Sequence, residues 1–364
     1  MKPLNRLLGV VVFGTACAAF AQVPAGYPAD YSKIVDAAKK EGKVVVYGAT
    51  DTNAVAPLMK DFQALYPGVT VEYSDMNTTE VYNRVISEQA AGAGSADVVW
   101  SSSMDLQVKL VGDGYALTYA SPEIPKLPDW SVWKNEAYGI TYEPIVFAYN
   151  KRLLKPEEVP QSHAELVTML NANVERFKGK VTSYDIEKSG VGFMMVTQDV
   201  KANPNFWDVP KAFGNVGARF QSSSGTMMER LSSGENLLAY NLIGTYAILR
   251  AKKDPSIGVV MPKDYTLVLS RVMFISKSAK NPNAAKLWLD YLLSQRGQKI
   301  IANQSDLGSI RSDVEGEVTA AGLQKTLGAS LKPVPVNPSL LTYLDPAKRL
   351  DFLKQWQSAV KGTK

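Results

Sequence analysis

The feature that most constrains the fold is a regular alternation of β-branched runs and amphipathic segments. The runs KVVVYG, VTVEYSD and ADVVWSS are typical of buried strands. Between the first two, apolar residues recur at helical spacing at Val55, Leu58, Met59, Phe62 and Leu65. Alternating strands and helices predict a parallel sheet with helices on both of its faces.

The alternation breaks once and then resumes, which indicates two lobes. Residues 121–154 are rich in proline and aromatic side chains and lead into the strand IVFAYN, so we expect the chain to cross between lobes there. The β-rich run TLVLSRVMFISKSAK is the expected return crossing, and single helices are predicted over NPNAAKLWLDYLLSQRGQKII and PAKRLDFLKQWQSAV. A chain of 364 residues is also longer than one core commonly covers.

Residues 1–21 have the three-part layout of a secretory signal peptide, with basic residues, an apolar core and a small-x-small end. We expect cleavage after Ala21 and a periplasmic mature protein. The only cysteine, Cys17, lies in this leader, so the mature chain would contain none. The alternative is a lipoprotein acylated at Cys17, although Gly14 stands where such a signal has a branched apolar residue.

The scarcity of reactive side chains argues against an enzyme. His163 is the only histidine, so a Ser/His/Asp or Cys/His arrangement has little to draw on. Ser162 and Glu165 predict a capping box that places His163 at the exposed start of a helix. The net charge of +5 is scattered without basic blocks, and no phosphate-loop motif occurs. We expect no catalysis, no cofactor and no nucleic-acid partner; a metal site of carboxylates and tyrosines stays an alternative.

Hydroxyl-rich segments recur where a predicted strand gives way to a predicted helix. In open α/β sheets, ligands bind beyond the carboxyl ends of the strands, where helix N-termini offer N–H groups and partial positive charge. Four such loops in the two halves favour a cleft between the lobes. The candidate ligand-binding residues of these loops are Thr50, Asp51, Thr52, Ser101, Ser102, Ser103, Ser183, Tyr184, Asp185, Ser222, Ser223, Ser224, Gly225 and Thr226.

The segment QSSSGTMMER, residues 221–230, has two interpretations. It caps a helix and does nothing more, or it also forms part of an anion site in the second lobe. Tyr142, Tyr184 and Tyr240 are candidates for the cleft wall, with core or rim packing as the alternative. Arg271 and Arg84 are candidate counter-ions, although most arginines simply lie at the surface. Asp51 or Asp185 would bind ligand hydroxyls or an ammonium group.

The order of these segments resembles that of a known family. A leader is followed by GKVVVYGATDTNAVAPLMKDFQALYPGVTVEY, ADVVWSSS, VFAYNKRLL, GENLLAYNLIGTYAILRAKK and SAKNPNAAKLWLDYLLSQRGQKIIA. This order is similar to that of periplasmic solute-binding proteins of ABC importers, in the branch that includes ferric-iron, hexose-phosphate and 2-aminoethylphosphonate binders. The resemblance covers nearly all of the chain from about residue 30 onward.

The resemblance implies an α/β fold with two doubly wound lobes joined by crossing hinge strands, of the type II periplasmic-binding-protein kind. We expect lobe 1 to comprise residues 30–140 and about 268–330, and lobe 2 to comprise residues 141–267 and about 331–364. The lobes would close around a small anionic solute, and the membrane subunits of an ABC importer would be the partners. We expect a monomer.

The resemblance also bears on the ligand. Ferric members of the branch carry two adjacent tyrosines after a G-E-x-x-x-A motif, and this chain has Gly244 and Thr245 there, with only Tyr246 close by. Without paired phenolates the sequence favours a small organic anion, and a phosphate or phosphonate ester ahead of a carboxylate. The alternatives are a ferric-iron binder and a ligand-sensing subunit of a membrane signalling system.

Overall fold

The computed structural model describes residues 23–24, 26–94, 96–305 and 307–361. The predicted leader, residues 1–21 with Cys17, lies outside these described residues. Within them, no helix combines the length and the apolar character needed to cross a membrane.

The strands of the described chain form two separate sheets. In chain order they are β1 (Lys43–Gly48), β2 (Thr70–Asp75), β3 (Val98–Ser101), β4 (Val132–Trp133), β5 (Ala137–Gly139), β6 (Glu143–Asn150), β7 (Val181–Tyr184), β8 (Arg219–Gln221), β9 (Leu238–Ile243), β10 (Ile257–Val260), β11 (Thr266–Leu269), β12 (Val272–Ile275) and β13 (Leu331–Pro333).

The first sheet has the order β2-β1-β3-β12-β5-β4. Strand β1 runs parallel to β2 and β3, as the alternating pattern predicts. Strand β12, which follows β11 of the second sheet along the chain, pairs antiparallel with β3 and β5. In the second sheet the order is β13-β11-β6-β9-β7-β8, with β10 beside β6. There β7 is parallel to β8 and β9, whereas β6 is antiparallel to β9.

Helices follow most of the strands and cover the sheets. They are α1 (Ser32–Glu41), α2 (Thr52–Leu65), α3 (Thr78–Ala90), α4 (Met104–Gly112), α5 (His163–Ala172), α6 (Val174–Phe177), α7 (Gly190–Ala202), α8 (Asp208–Asn215), α9 (Ser224–Ser233), α10 (Gly244–Lys253), α11 (Pro282–Leu293), α12 (Gln295–Asn303), α13 (Ala320–Leu327) and α14 (Pro346–Val360).

Apolar periodicity explains why these segments fold as they do. In α2, Val55, Leu58 and Phe62 recur at helical spacing and are fully buried, while in β1 the buried Val44 and Val46 alternate with more exposed residues. These faces pack together between sheet and helix and form the core of the first lobe.

The chain crosses between the two sheets three times: at two neighbouring segments, β5 to β6 and β11 to β12, which we call the crossing segments, and again between β12 and β13. The backbone N–H of Arg271 donates to Thr141 Oγ1 at 2.8 Å, and the backbone N–H of Ile140 donates to the Arg271 carbonyl at 2.9 Å. The crossing segments are therefore hydrogen-bonded to each other. The predicted fold class, two α/β lobes joined by crossing strands, is confirmed. The residue limits of the lobes stay predictions.

Three local expectations were wrong or incomplete. The helix predicted over residues 281–301 is two helices, because Ser294 leaves the helical conformation and its hydroxyl caps α12 by accepting from Gly297 N–H at 3.2 Å. The β-rich run after residue 265 is two strands that belong to different sheets. Of the capping box at α5 only half forms, since the Glu165 carboxylate accepts from the backbone N–H of Gln161.

His163 is also placed differently from the expectation of an exposed side chain. It does occupy the first position of α5, but it is buried. Its ring stacks on Tyr265 with centroids 4.0 Å apart, and Nδ1 lies 3.0 Å from the Asp264 carboxylate. Tertiary packing against the second sheet buries a residue that local capping alone would leave at the surface.

Candidate functional site

A cleft of about 320 Å³ lies between the lobes, where strands of both sheets end and helices begin. The first lobe contributes residues at or after the ends of β1, β2 and β3, which are Ala49, Asp51, Asp75, Met76, Asn77, Thr78 and Ser102. The second lobe contributes residues at or after the ends of β7, β8 and β9, which are Tyr184, Lys188, Ser189, Val191, Ser222, Ser223, Ser224, Gly225, Ile243 and Tyr246. Arg271 lines the cleft from the crossing segment.

The structure brings some of the sequence-predicted site residues to this cleft and leaves others away from it. Those that line it are Asp51, Ser102, Tyr184, Ser222, Ser223, Ser224, Gly225 and Arg271. Those that do not are Thr50, Thr52, Ser101, Ser103, Tyr142, Ser183, Asp185, Thr226 and Tyr240. Binding by any of these residues stays a prediction.

Internal hydrogen bonds account for the buried hydroxyls of the first lobe that miss the cleft. Thr50 is fully buried, and its hydroxyl accepts from Arg271. Ser103 donates to the Asp105 carboxylate at 2.9 Å, and the Ser103 backbone N–H donates to Ser101 Oγ. The hydrogen bonds of Ser101 and Ser103 stabilise the loop after β3, and Ser102 is the serine of that loop that lines the cleft.

Internal hydrogen bonds also engage the predicted residues of the second lobe that do not line the cleft. Ser183 lies within β7 and donates to the backbone carbonyl of Tyr240, and the Tyr240 hydroxyl donates to the buried carboxylate of Asp199 at 3.0 Å. Tyr240 is fully buried in the lobe core and does not line the cleft, which agrees with the alternative of core packing. Thr226 lies in the first turn of α9, where its backbone N–H donates to Ser223 Oγ.

The remaining three predicted residues hold local structure. Thr52 donates from its backbone N–H to Asp75 at 3.0 Å, Asp185 accepts from backbone N–H groups of its own turn, and Tyr142 packs on Trp130 with ring centroids 6.0 Å apart. Arg84, the other candidate counter-ion, pairs with Glu88 on the same helix and does not line the cleft.

The serine segment before α9 forms both a cap and a cleft wall. Ser223 is the N-cap, and its hydroxyl accepts from Thr226 N–H at 3.2 Å. Ser224 is hydrogen-bonded through its hydroxyl to the hydroxyl of Tyr184, and both lie in the cleft lining with Ser222 and Gly225. The cap is therefore part of a surface that a ligand in the cleft would contact.

Helix N-termini surround the cleft. The helices that begin at residues lining it, or directly after such residues, are α2, α3, α7, α9 and α10, and α4 begins two residues after the cleft-lining Ser102. The first-turn N–H groups of a helix carry partial positive charge and favour an anion. Lys188 of the second lobe adds a positive charge, which is paired with the Asp185 carboxylate at 3.3 Å, whereas Asp51 and Asp75 add negative charge on the first-lobe side. The cleft thus offers helix N-termini from both lobes and carboxylate acceptors from the first.

Arg271 sits at the base of the cleft in a buried ion pair with Glu143. Its Nε and Nη2 donate to the Glu143 carboxylate at 2.8 and 3.2 Å, and Nη1 donates to the Ala49 carbonyl and to Thr50 Oγ1, both at 3.0 Å. Nη2 also donates to the Tyr246 hydroxyl at 3.1 Å. A guanidinium has five N–H groups, and all five are engaged.

The charge state of this pair follows from its surroundings. Burial opposes the charge on Arg271, but the adjacent Glu143 carboxylate outweighs burial and holds the pKa of the guanidinium above its ordinary value. The carboxylate also accepts from Thr141 Oγ1 at 2.7 Å and from Thr245 Oγ1 at 2.9 Å. A paired and fully hydrogen-bonded charge of this kind ties the crossing segments together and leaves little net charge for a ligand.

The two positions after the G-E-x-x-x-A motif do not face the cleft. A side chain at Gly244 would bring its Cβ to 2.6 Å from the Pro144 carbonyl oxygen, so only glycine fits against β6. Thr245 is fully buried and points to Glu143. The phenols that do line the cleft are Tyr184 and Tyr246. In the described residues no group of three or more His, Cys, Asp or Glu side chains is arranged to hold a metal ion.

Sequence reasoning missed the whole loop after β2. Asn77 accepts from the backbone N–H groups of Thr79 and Glu80, and the Glu80 carboxylate accepts from Asn77 N–H, which is a complete capping box at the cleft edge. The signal was available, because N-x-x-E follows a predicted strand directly. Lys188 and Ser189 also line the cleft, whereas the hydroxyl-rich pattern after β7 pointed to Ser183, Tyr184 and Asp185.

A two-lobed α/β chain with a polar cleft at its crossing segments is a ligand-binding protein of the periplasmic type. The model of the family described as bacterial extracellular solute-binding protein matches residues 57–325. The chain belongs to this family, whose members bind solutes outside the cytoplasmic membrane and work with ABC importer membrane subunits.

Solved structures agree with this assignment. The substrate-binding protein of an ABC transporter from Agrobacterium tumefaciens is 40% identical with a TM-score of 0.83, over 87% of this chain and 94% of that one. AfuA from Actinobacillus pleuropneumoniae, solved with fructose 6-phosphate, is 19% identical with a TM-score of 0.72, over 88% and 99%. Iron-bound HitA from Pseudomonas aeruginosa is 18% identical with a TM-score of 0.67, over 87% and 99%. The last two show a shared fold.

Proposed function

We propose that this protein binds a small organic anion in the interlobe cleft, with a phosphate or phosphonate compound as the favoured class, and delivers it to an ABC importer. The observation that carries the proposal is the convergence of helix N-termini on the cleft, joined by the hydroxyls of Ser222, Ser223 and Ser224 and by Lys188. Such donors suit a phosphoryl group, which presents several strong acceptor oxygens.

The opposite wall indicates what the rest of the solute carries. Asp51 and Asp75 line the first-lobe side and accept hydrogen bonds. They would bind hydroxyl or ammonium groups at the far end of the solute. A cleft of about 320 Å³ has the size of a small-metabolite site. AfuA, which shares the fold, was solved with a sugar phosphate bound, and this supports the same class here.

A thermal-shift screen of phosphorylated and phosphonate metabolites tests this proposal, followed by calorimetric titration of every compound that raises the melting temperature. Matched carboxylates and uncharged sugars serve as controls. The proposal expects saturable one-to-one binding of at least one phosphoryl or phosphonate compound. If carboxylates or uncharged sugars bind and no phosphorus compound does, the ligand class is wrong.

Ferric iron is the second candidate, because two phenols and two carboxylates, those of Tyr184, Tyr246, Asp51 and Asp75, line the same cleft. Against it, burial raises the pKa of Tyr246 to about 12, and Arg271 donates to the oxygen that iron would need. Titration with Fe(III) and a synergistic anion is expected to give no visible phenolate-to-iron absorption band. A strong, stoichiometric band would favour the iron binder.

The proposed location is the periplasm, reached through the leader in residues 1–21. We expect mature protein to begin near Gln22 and to contain no cysteine. Intact mass of exported material tests this, because a diacylglyceryl adduct on Cys17 would show a lipoprotein instead.

A further inference from the structure

Tyr246 is a cleft phenol that is hydrogen-bonded to the crossing segment. It lies in the first turn of α10 and lines the cleft. Its oxygen accepts from Arg271 Nη2 at 3.1 Å. A phenol has one proton to donate. In the described part of the chain, the hydrogen bond found at this hydroxyl ends on its oxygen, which leaves the proton for an acceptor in the cleft.

We infer that Tyr246 donates its hydroxyl proton to an acceptor oxygen of the bound solute, and that Arg271 positions Tyr246 and does not bind the solute itself. This inference rests on the proposed function and assigns a specificity-determining residue to it. It also changes the predicted role of Arg271, which the sequence suggested as a direct counter-ion.

The geometry of Arg271 supports a positioning role. Its Nε and one N–H of Nη2 are held by Glu143, and Nη1 is held by Ala49 and Thr50 of the first lobe. The remaining N–H of Nη2 points to the Tyr246 oxygen. A solute that bonded to Arg271 would have to displace one of these buried partners, which would leave a buried polar group without its hydrogen bond.

The environment of Tyr246 keeps its proton in place. Burial raises the pKa of Tyr246 to about 12, and the field of Arg271 only partly offsets burial. At neutral pH the group is a neutral phenol and therefore a donor. The other cleft phenol, Tyr184, is already hydrogen-bonded to the Ser224 hydroxyl, so the two phenols are not equivalent.

Arg271 also connects the donor to the other lobe. Tyr246 belongs to the second lobe, whereas the acceptors of Arg271 Nη1, Ala49 and Thr50, belong to the first. The guanidinium that holds the Tyr246 oxygen is therefore itself held by the first lobe.

The test compares calorimetric titrations of fructose 6-phosphate and inorganic phosphate into wild type and Tyr246→Phe. Loss of a hydrogen bond to a charged acceptor is expected to reduce affinity about ten-fold or more. Tyr240→Phe is the matched control, because it loses a buried phenol–carboxylate hydrogen bond in the strand just before α10, away from the cleft. It should lower the melting temperature and leave affinity unchanged.

Arg271→Lys and the double variant with Tyr246→Phe test the positioning role. Lysine keeps the charge beside Glu143 but cannot reach Thr50 and Tyr246 at once. Arg271→Lys is expected to weaken binding as Tyr246→Phe does, and the double variant should be no weaker than either single variant. Additive losses would show that Arg271 acts on the solute separately and would overturn its positioning role.

The outcomes separate this inference from the function on which it rests. If wild type binds neither probe nor any other phosphorus compound, the proposed function fails and the inference falls with it. If wild type binds a probe and Tyr246→Phe binds it equally well, the function stands and the inference is wrong. An iron–phenolate band that Tyr246→Phe abolishes would also overturn the inference, because the group would then act as a phenolate.

Discussion

Ser102 and Ser224 are the residues by which a cleft role and a purely structural role can best be told apart. Both are buried and line the cleft, one from each lobe. Neither is the N-cap of a helix, since the caps of α4 and α9 are Ser103 and Ser223. Their removal should therefore leave the helices intact.

Ser102→Ala and Ser224→Ala are each expected to weaken binding of a phosphoryl solute about ten-fold or more. A hydrogen bond to a charged group contributes roughly 1.5–3 kcal/mol, which corresponds to this loss. Ser162→Ala is the control, because Ser162 caps α5 by accepting from Glu165 N–H at 3.1 Å, away from the cleft. It should cost about 1 kcal/mol of stability and leave affinity intact. Normal affinity with lowered melting temperatures in both cleft variants would contradict a binding role.

Asp290 gives a pH signature that is independent of the ligand. Its buried carboxylate accepts from the hydroxyls of Tyr31, Tyr119 and Ser121. Burial nevertheless raises the pKa of Asp290 to about 6, above its unfolded value near 4. Between those values the folded chain holds a proton that the unfolded chain has released, so this group stabilises the fold at low pH and its contribution is lost as pH rises to about 6.

Asp290→Asn is expected to make the free energy of unfolding depend less on pH. Asparagine carries no titrating proton, so the decline in free energy of unfolding that Asp290 causes between about pH 4 and pH 6 should disappear. Urea denaturation of wild type and variant at several pH values measures the difference. A difference between the two proteins that does not change across this range would contradict the raised pKa.

At the scale of elements, α7 approaches the first lobe more closely than any side chain at its start would allow. A Cβ on Gly190 would lie 2.9 Å from Ser103 Oγ and 3.1 Å from both Leu106 Cδ1 and Thr78 Oγ1. The neighbouring Thr79 hydroxyl donates across the same contact to the Lys188 carbonyl at 3.4 Å. Because Gly190 has no side chain, the start of α7 can pack against the first lobe beside the cleft.

Substitution at Gly190 should therefore oppose closure. Gly190→Ala and Gly190→Val are expected to weaken solute binding progressively, because overpacking a tight contact costs about 1–3 kcal/mol. Small-angle scattering with saturating solute should give a larger radius of gyration for Gly190→Val than for wild type. Gly112→Ala is the control, since its Cβ would meet only Trp133, at an ordinary 3.7 Å. Wild-type affinity in Gly190→Val would show that this contact does not limit closure.

Local periodicity predicts most helices and strands, but it does not predict the residues at which they end or the elements against which they pack. The apolar spacing continues from Leu293 to Ile300 and Ile301, so the break at Ser294 is invisible until its hydroxyl is seen to cap α12. The cleft serines were predictable, because hydroxyls at strand–helix junctions have a local cause in capping.

At the scale of the whole molecule, the features that organise the cleft are long-range. Glu143 and Arg271 are 128 residues apart and meet because the two crossing segments lie side by side. Nothing in either local sequence indicates this pair, and the sequence therefore suggested Arg271 as a ligand counter-ion. The same crossing brings Asp51 of one lobe to Tyr246 of the other.

The ligand proposed for the interlobe cleft is a small organic anion with a phosphoryl or phosphonate group. The most direct test is mass spectrometry of the small molecules released from protein purified under native conditions from the cell envelope. We predict one phosphorus-containing organic anion in near-stoichiometric amount, depleted in Ser224→Ala protein prepared in parallel. Stoichiometric ferric iron, or a solute with no anionic group, would contradict the claim.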